Sequence, residues 1–239
     1  MKRLTYRILK LLIKTFTIKP KMYGLKHIQP NAPAMFLASH ARFYGPIAVS
    51  CFFKPTDKIW ANSMVIDTKE SMEYTTRTLF KETLAWRDFP AKIAGGFVGR
   101  LMAGLMQNEN LVTVYWDAAR ARQTILQGVN TVLSGESQLM FAREAKDIDG
   151  RLSEDFDFDK GYQLVIHQVY KKYGVTLLLY PVAINKKKRT LAVGPPTAYN
   201  PKKPLLEEKE RINQYLVSAV KMGYHSPQHL AEISSSDEI

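Results

Sequence analysis

Apolar residues near the start of the chain recur at Leu4, Ile8, Leu11, Leu12 and Phe16, with Lys2, Arg3, Arg7, Lys10 and Lys14 among them. This i, i+3, i+4 recurrence predicts an amphipathic helix with a basic polar face, ending before Pro20. Two uses fit it: a helix packed on the rest of the chain with its lysines in water, or a helix lying in a membrane surface. Further on the pattern breaks into shorter runs. Ala34 to Ala38 reads as a buried strand, and Pro46 to Phe53 as a helix turning away from it. Residues 57–66 hold a second short apolar run, and residues 68–87 look helical without a clear apolar stripe. Residues 91–107, rich in glycine, alanine and methionine, suit a closely packed helix, with a lipid-facing surface as the other use.

The second half alternates in kind. A strand is expected at Leu111 to Tyr115, a helix over Ala118 to Leu133, a strand at Gln138 to Phe141 and a helix over Tyr162 to Tyr173. A strongly apolar strand at Thr176 to Ile184 follows, with Thr190 to Val193 beside it, and a last helix runs from Leu205 to Met222. Strands alternating with helices of this length predict an α/β fold, a mainly parallel mixed sheet flanked by helices. The expected organisation is an N-terminal amphipathic helix over 1–24, a single α/β domain over 25–225 and a polar tail over 226–239.

Charge changes this picture more than composition does. The chain carries 34 Lys+Arg against 22 Asp+Glu, a formal net charge of +12, which favours a nucleic acid, an anionic membrane face or a phosphate-bearing small molecule. The basic run Asn185 to Arg189 is most simply a solvated turn, with anionic headgroups as its functional reading. The single cysteine, Cys51, has no intramolecular partner, which fits a reducing compartment and a small buried hydrophobe. No run approaches a membrane-spanning length of about 18 apolar residues. Lys10 and Lys14 interrupt the leading apolar run, so no signal peptide is expected. The expected location is cytoplasmic, peripheral on the inner face of the membrane.

Sites in open α/β sheets gather outside the carboxyl ends of strands, and four expected strands carry polar or proline punctuation near those ends. These positions are His40, Trp116 with Asp117, Arg143 with Glu144, and Pro181. The other histidines, His27, His167, His225 and His229, have no cysteine or carboxylate companions at metal-ligand spacing, so no metal is expected. No phosphate-binding GxxxxGK[ST] loop, GxGxxG turn or GxSxG nucleophile elbow occurs. Basic residues are spread along the chain and are not concentrated with aromatics, which argues against a nucleic-acid partner.

In order and spacing these segments resemble the glycerolipid acyltransferases. AMFLASHARFYGP, residues 34–46, is similar to the family's HxxxxD motif, in which a histidine deprotonates a glycerol hydroxyl and an aspartate orients it. His40 is present, and Gly45 stands where the aspartate is expected. The second motif carries an arginine after a strand, and Trp116 occupies that place, with Arg120 or Arg122 further on as replacements. Where the third motif reads FPEG, this chain has Phe141, Ala142, Arg143 and Glu144. Either Glu144 is the motif carboxylate displaced by one position, or Arg143 occupies its place. The two side chains of a continuing strand point to opposite faces, so the alternatives differ chemically. LLLYPVAI matches the VPV-like fourth motif, and DFDFDKGYQL resembles the family's Phe-Lys-x-Gly helix start.

The resemblance implies transfer of a fatty acyl group from a thioester carrier, acyl-CoA or acyl-carrier protein, to a lysophospholipid or related alcohol. No further cofactor is implied. His40 would act as general base with Glu144 organising the pocket, and Arg143 or Arg120 would bind phosphate. Trp116 and Gly45 mark the substrate-facing positions where the motifs are altered. The implied partners are the acyl carrier, the lysophospholipid and an anionic membrane surface. The rival from another class keeps the fold and drops the reaction: a lipid- or partner-binding pseudoenzyme. Loss of an orienting carboxylate beside a histidine base costs several orders of magnitude in rate, so Gly45 decides between the two.

Overall fold

The computed structural model describes residues 3–41, 44–142, 152 and 156–234. In chain order its elements are α1 (Arg3–Phe16), β1 (Lys21–Tyr23), a single 3-10 turn (Leu25–His27), β2 (Ala34–Ala38), α2 (Tyr44–Phe52) and β3 (Lys58–Asn62). Then come α3 (Ser63–Ile66), α4 (Thr68–Tyr74), a π-helical stretch (Thr75–Thr83), α5 (Asp88–Met106), β4 (Leu111–Val114), α6 (Ala118–Leu133) and β5 (Gln138–Phe141). The chain closes with α7 (Gly161–Tyr173), β6 (Leu178–Asn185), β7 (Thr190–Val193), β8 (Thr197–Ala198), α8 (Leu205–His225) and α9 (Pro227–Glu232). The chain forms two compact units, one of residues 1–13 and 60–124, the other of residues 14–59 and 125–239.

The second unit holds the expected mixed, mainly parallel sheet, in the order β1-β7-β6-β2-β5-β3 with β8 also on β6. β2 pairs in parallel with both β5 and β6, β3 with β5, and β1 with β7; β6 runs antiparallel to β7 and β8. All five residues of β2 are buried, because a central parallel strand is covered on both faces, which is why AMFLA reads as an unbroken apolar run. On one face Phe36 stacks on Tyr180 at 5.2 Å between ring centroids and meets Phe53 edge-on at 5.1 Å. These rings join Val49, Leu139, Val182, Ile184, Leu191 and Val193 in one buried cluster.

Pro181 lies inside β6, opposite Leu37 of β2. Its carbonyl accepts from the Gly194 N–H at 3.0 Å, and the N–H and C=O of one strand residue point the same way. The donor that proline lacks would therefore face the Gly194 carbonyl, so the Pro181–Gly194 pair keeps one of its two ladder bonds, at the point where pairing passes from β8, at Leu178 and Leu179, to β7, at Val182 onward.

In the first unit the latter half of β3 has β4 as its neighbour, and the rest is helical. α5 packs on α4 and the π-helical stretch through Ala91, Gly95, Gly99 and Ala103, all buried. A Cβ at Gly99 would stand 2.5 Å from the Met72 Cα and 2.6 Å from the Ser71 carbonyl oxygen, so glycine sets how closely these helices approach. The Ser71 hydroxyl donates to the Gly99 carbonyl at 2.9 Å across this contact. The π-helical stretch starts where the Thr75 and Thr76 hydroxyls donate back to the Ser71 and Met72 carbonyls, each at 2.7 Å. Such back-bonding competes with the regular amide bond and loosens the turn.

The two ends of the chain add detail that the sequence pattern does not show. The region read as a polar tail begins with α9, whose Leu230 is fully buried against Gly194 and Gly223. α1 forms as expected, but Ile8, Leu11, Leu12 and Phe16 are exposed while Lys10 is partly buried. Lys10 Nζ donates to Glu109 at 2.8 Å and to the Tyr6 hydroxyl at 3.2 Å, so α1 meets its unit through a charged contact. Among the described residues no helix is long and apolar enough to cross a membrane.

Candidate active site around His40

His40 follows β2 by two residues, and the chain is fixed immediately before it. The buried Ser39 donates its N–H to the Val182 carbonyl at 3.0 Å. Its hydroxyl accepts from the Ile184 N–H at 2.7 Å and donates to the Ile184 carbonyl at 3.3 Å. On the other side the Ala142 N–H donates to the Ala38 carbonyl at 2.8 Å. His40 is thus held at the carboxyl ends of β2, β5 and β6, three parallel neighbours.

The imidazole is half-buried and packs against the ring of Phe141, the last residue of β5, at 5.1 Å between centroids and 54° between planes. Ala41, directly after it, has φ 49°, in the left-handed region. For a residue with a Cβ this conformation costs roughly 1–2 kcal/mol, and such strain collects where surrounding structure enforces a functional geometry.

Gly45 lies buried in the first turn of α2. A Cβ built on it would overlap the carbonyl oxygen of His40, stand 2.8 Å from the carbonyl carbon and meet the Phe141 ring at 3.6 Å. Glycine here lets the helix start press against the backbone of the histidine. An aspartate at this position would displace either α2 or His40. The departure from HxxxxD is therefore built into the backbone path. The Tyr44 hydroxyl, beside it, donates to the Ile18 carbonyl at 3.4 Å, and burial raises its pKa.

Trp116 and Arg120 belong to the other compact unit. Trp116 is 61% exposed at the end of β4. Arg120 Nε donates to Asp117 Oδ2 at 2.8 Å, and the Arg120 N–H donates to Asp117 Oδ1 at 2.9 Å, which closes the first turn of α6. The guanidinium also lies 4.6 Å from the Tyr115 ring centroid. Partial burial works against ionisation of Asp117, but the Arg120 amide and guanidinium outweigh it and hold its carboxyl below the usual range. Arg143 and Glu144 lie outside the described residues.

Of the expected site residues the structure brings His40 and Gly45 into contact. It adds Ser39 and Ala41, to which the sequence pattern assigns no role, and sets Phe141, the phenylalanine of the altered third motif, against the His40 ring. Ser39 had a readable signal, a hydroxyl interrupting an apolar strand run; the left-handed Ala41 had none.

No family model matches the chain, and no curated protein does. A solved structure similar to it is the 1-acyl-sn-glycerophosphate (LPA) acyltransferase PlsC from Thermotoga maritima, at a TM-score of 0.47 and 14% identity, over 94% of this chain and 83% of that one.

Proposed function

We propose that the chain is an acyltransferase-like protein that moves a fatty acyl group from a thioester carrier to the hydroxyl of a lysophospholipid or related alcohol, with His40 as general base. The observation that carries this reading is the presentation of His40 at the carboxyl ends of three parallel strands, followed by the strained Ala41. In the proposed reaction the imidazole takes the acceptor O–H proton as the oxygen attacks the thioester carbonyl. The C–S bond breaks, and the proton passes to the departing sulfur. A general base of this kind contributes roughly 10²–10⁴-fold in rate.

Glu144 is assigned to orienting His40, in place of the aspartate that the Gly45 contact keeps out. The phosphate-binding role goes to Arg143, because Arg120 already donates to Asp117 and covers Tyr115. The exposed apolar face of α1, with Lys14 nearby, is proposed to hold the protein at the inner face of an anionic membrane.

The Gly45 contact also favours a second reading, a lipid-binding pseudoenzyme of the same fold. Incubation of the purified protein with an acyl thioester and lysophosphatidate separates the two. Phosphatidate found by mass spectrometry supports the enzyme. Lipid retained through purification without turnover supports the second reading.

A further inference from the structure

α5 presents two opposite faces of unusual kind. Ala91, Gly95, Gly99 and Ala103 are buried, whereas Phe89, Ile93 and Phe97 are 76%, 61% and 71% exposed. The two sets are offset by two residues, which is about 200° around a helix, so they stand on opposite sides. The small residues face inward and the bulky apolar ones face out. The exposed three form an i, i+4, i+8 stripe about 12 Å long. Leu84 and Trp86, 48% and 45% exposed, precede it in the same compact unit.

The charges in this segment choose its occupant. Residues 77–100 contain five basic side chains, Arg77, Lys81, Arg87, Lys92 and Arg100, against Glu82 and Asp88, a balance of 5 − 2 = +3. Both acids face bases within the segment: Asp88 pairs with Lys81 at 2.6 Å and Glu82 with Arg77 at 3.8 Å. Arg87, Lys92 and Arg100 remain exposed beside the stripe. A bulky apolar ridge with a tryptophan and uncompensated cations is complementary to the boundary between acyl chains and anionic headgroups.

We propose that the Phe89–Ile93–Phe97 ridge of α5 is a bilayer-docking surface that inserts shallowly into anionic membranes, a contact separate from α1. It is independent of acyl transfer, because it requires no turnover.

The test is co-flotation of the full chain with phosphatidylcholine vesicles, with and without phosphatidylglycerol. Wild type is expected to bind the anionic vesicles, and Phe89→Ser/Ile93→Ser/Phe97→Ser to bind them about tenfold or more weakly with unchanged circular dichroism. Lys92→Glu/Arg100→Glu, both exposed, should lose the preference for anionic vesicles, and this keeps the proposal testable if the triple variant misfolds. Brominated acyl chains should quench wild-type fluorescence more than that of Trp86→Phe. The proposal is overturned if both multiple variants bind as wild type does. It is also overturned if the triple substitution converts a dimer to a monomer in sedimentation without changing vesicle binding, which would make the ridge an interface between copies.

Discussion

The carbonyl of His40 occupies the space that a side chain at Gly45 would need. In an ordinary helix interior Gly→Ala gains roughly 0.5–1 kcal/mol, but an enforced overlap with backbone costs about 1–3 kcal/mol, so the clash wins. Gly45→Ala is therefore expected to lower the chemical-denaturation midpoint, and Gly45→Asp to lower it further without raising activity. A stabilised Gly45→Ala, or activity gained by Gly45→Asp, would show that the helix start is free to move.

Ala41 and Ala48 offer a contrast within one segment. Ala41 is left-handed, whereas Ala48 is fully buried inside α2. Ala41→Gly relieves roughly 1–2 kcal/mol of backbone strain and adds back up to about 1 kcal/mol of unfolded-chain entropy, so stability should hold or rise. Ala48→Gly should cost about 1 kcal/mol or more. Denaturation curves for the pair check this, and equal losses at both sites would remove the case for strain beside His40.

Much of this arrangement was legible in the sequence. β2, β5, β7 and α6 lie at the positions read from the pattern, because an apolar run bounded by turn residues, or a sustained helical period, marks both ends. β1 and β8, three and two residues long, are too short to show a period. α9 was hidden because one buried residue, Leu230, holds it in place. The sequence showed Gly45 as a missing carboxylate. Only the backbone path shows it as a required glycine, since that depends on how α2 leaves β2.

Lys10 and Glu109 join α1 to its unit. With side chains 33% and 17% exposed, the pair should be worth about 1 kcal/mol, the upper end for ion pairs near a surface. A double-mutant cycle of Lys10→Met and Glu109→Gln is expected to give a coupling of that order that weakens with salt. The variants should also expose α1 to limited proteolysis. Zero coupling with unchanged proteolysis would place the attachment of α1 elsewhere.

Glu208, fully buried in the first turn of α8, accepts from Arg211 Nε at 2.9 Å and from the Asn200 N–H at 2.8 Å. Arg211 also donates to Thr197 Oγ1 at 3.1 Å and to the Ala198 carbonyl at 2.8 Å, which pins β8. Burial opposes ionisation of Glu208, but the guanidinium and the amide prevail and hold its pKa below the usual value. A depressed carboxylate contributes stability above its unfolded pKa, about 4.3, and loses it as pH falls through the folded value. Glu208→Gln should cost about 2–3 kcal/mol at neutral pH, less than a fully buried pair because Arg211 is partly exposed. The gap from wild type should narrow on acidification below pH of about 4. A gap that stays constant with pH would mean that the charge of Glu208 contributes nothing.

In the proposed reaction His40 removes a proton from the acceptor. The most direct test is thiol release from an acyl-carrier thioester in the presence of lysophosphatidate, measured for wild type and His40→Ala at equal folded concentration. Acceptor-dependent release by wild type that falls about 10²-fold or more in His40→Ala is the predicted result. Equal release by the two proteins would contradict it.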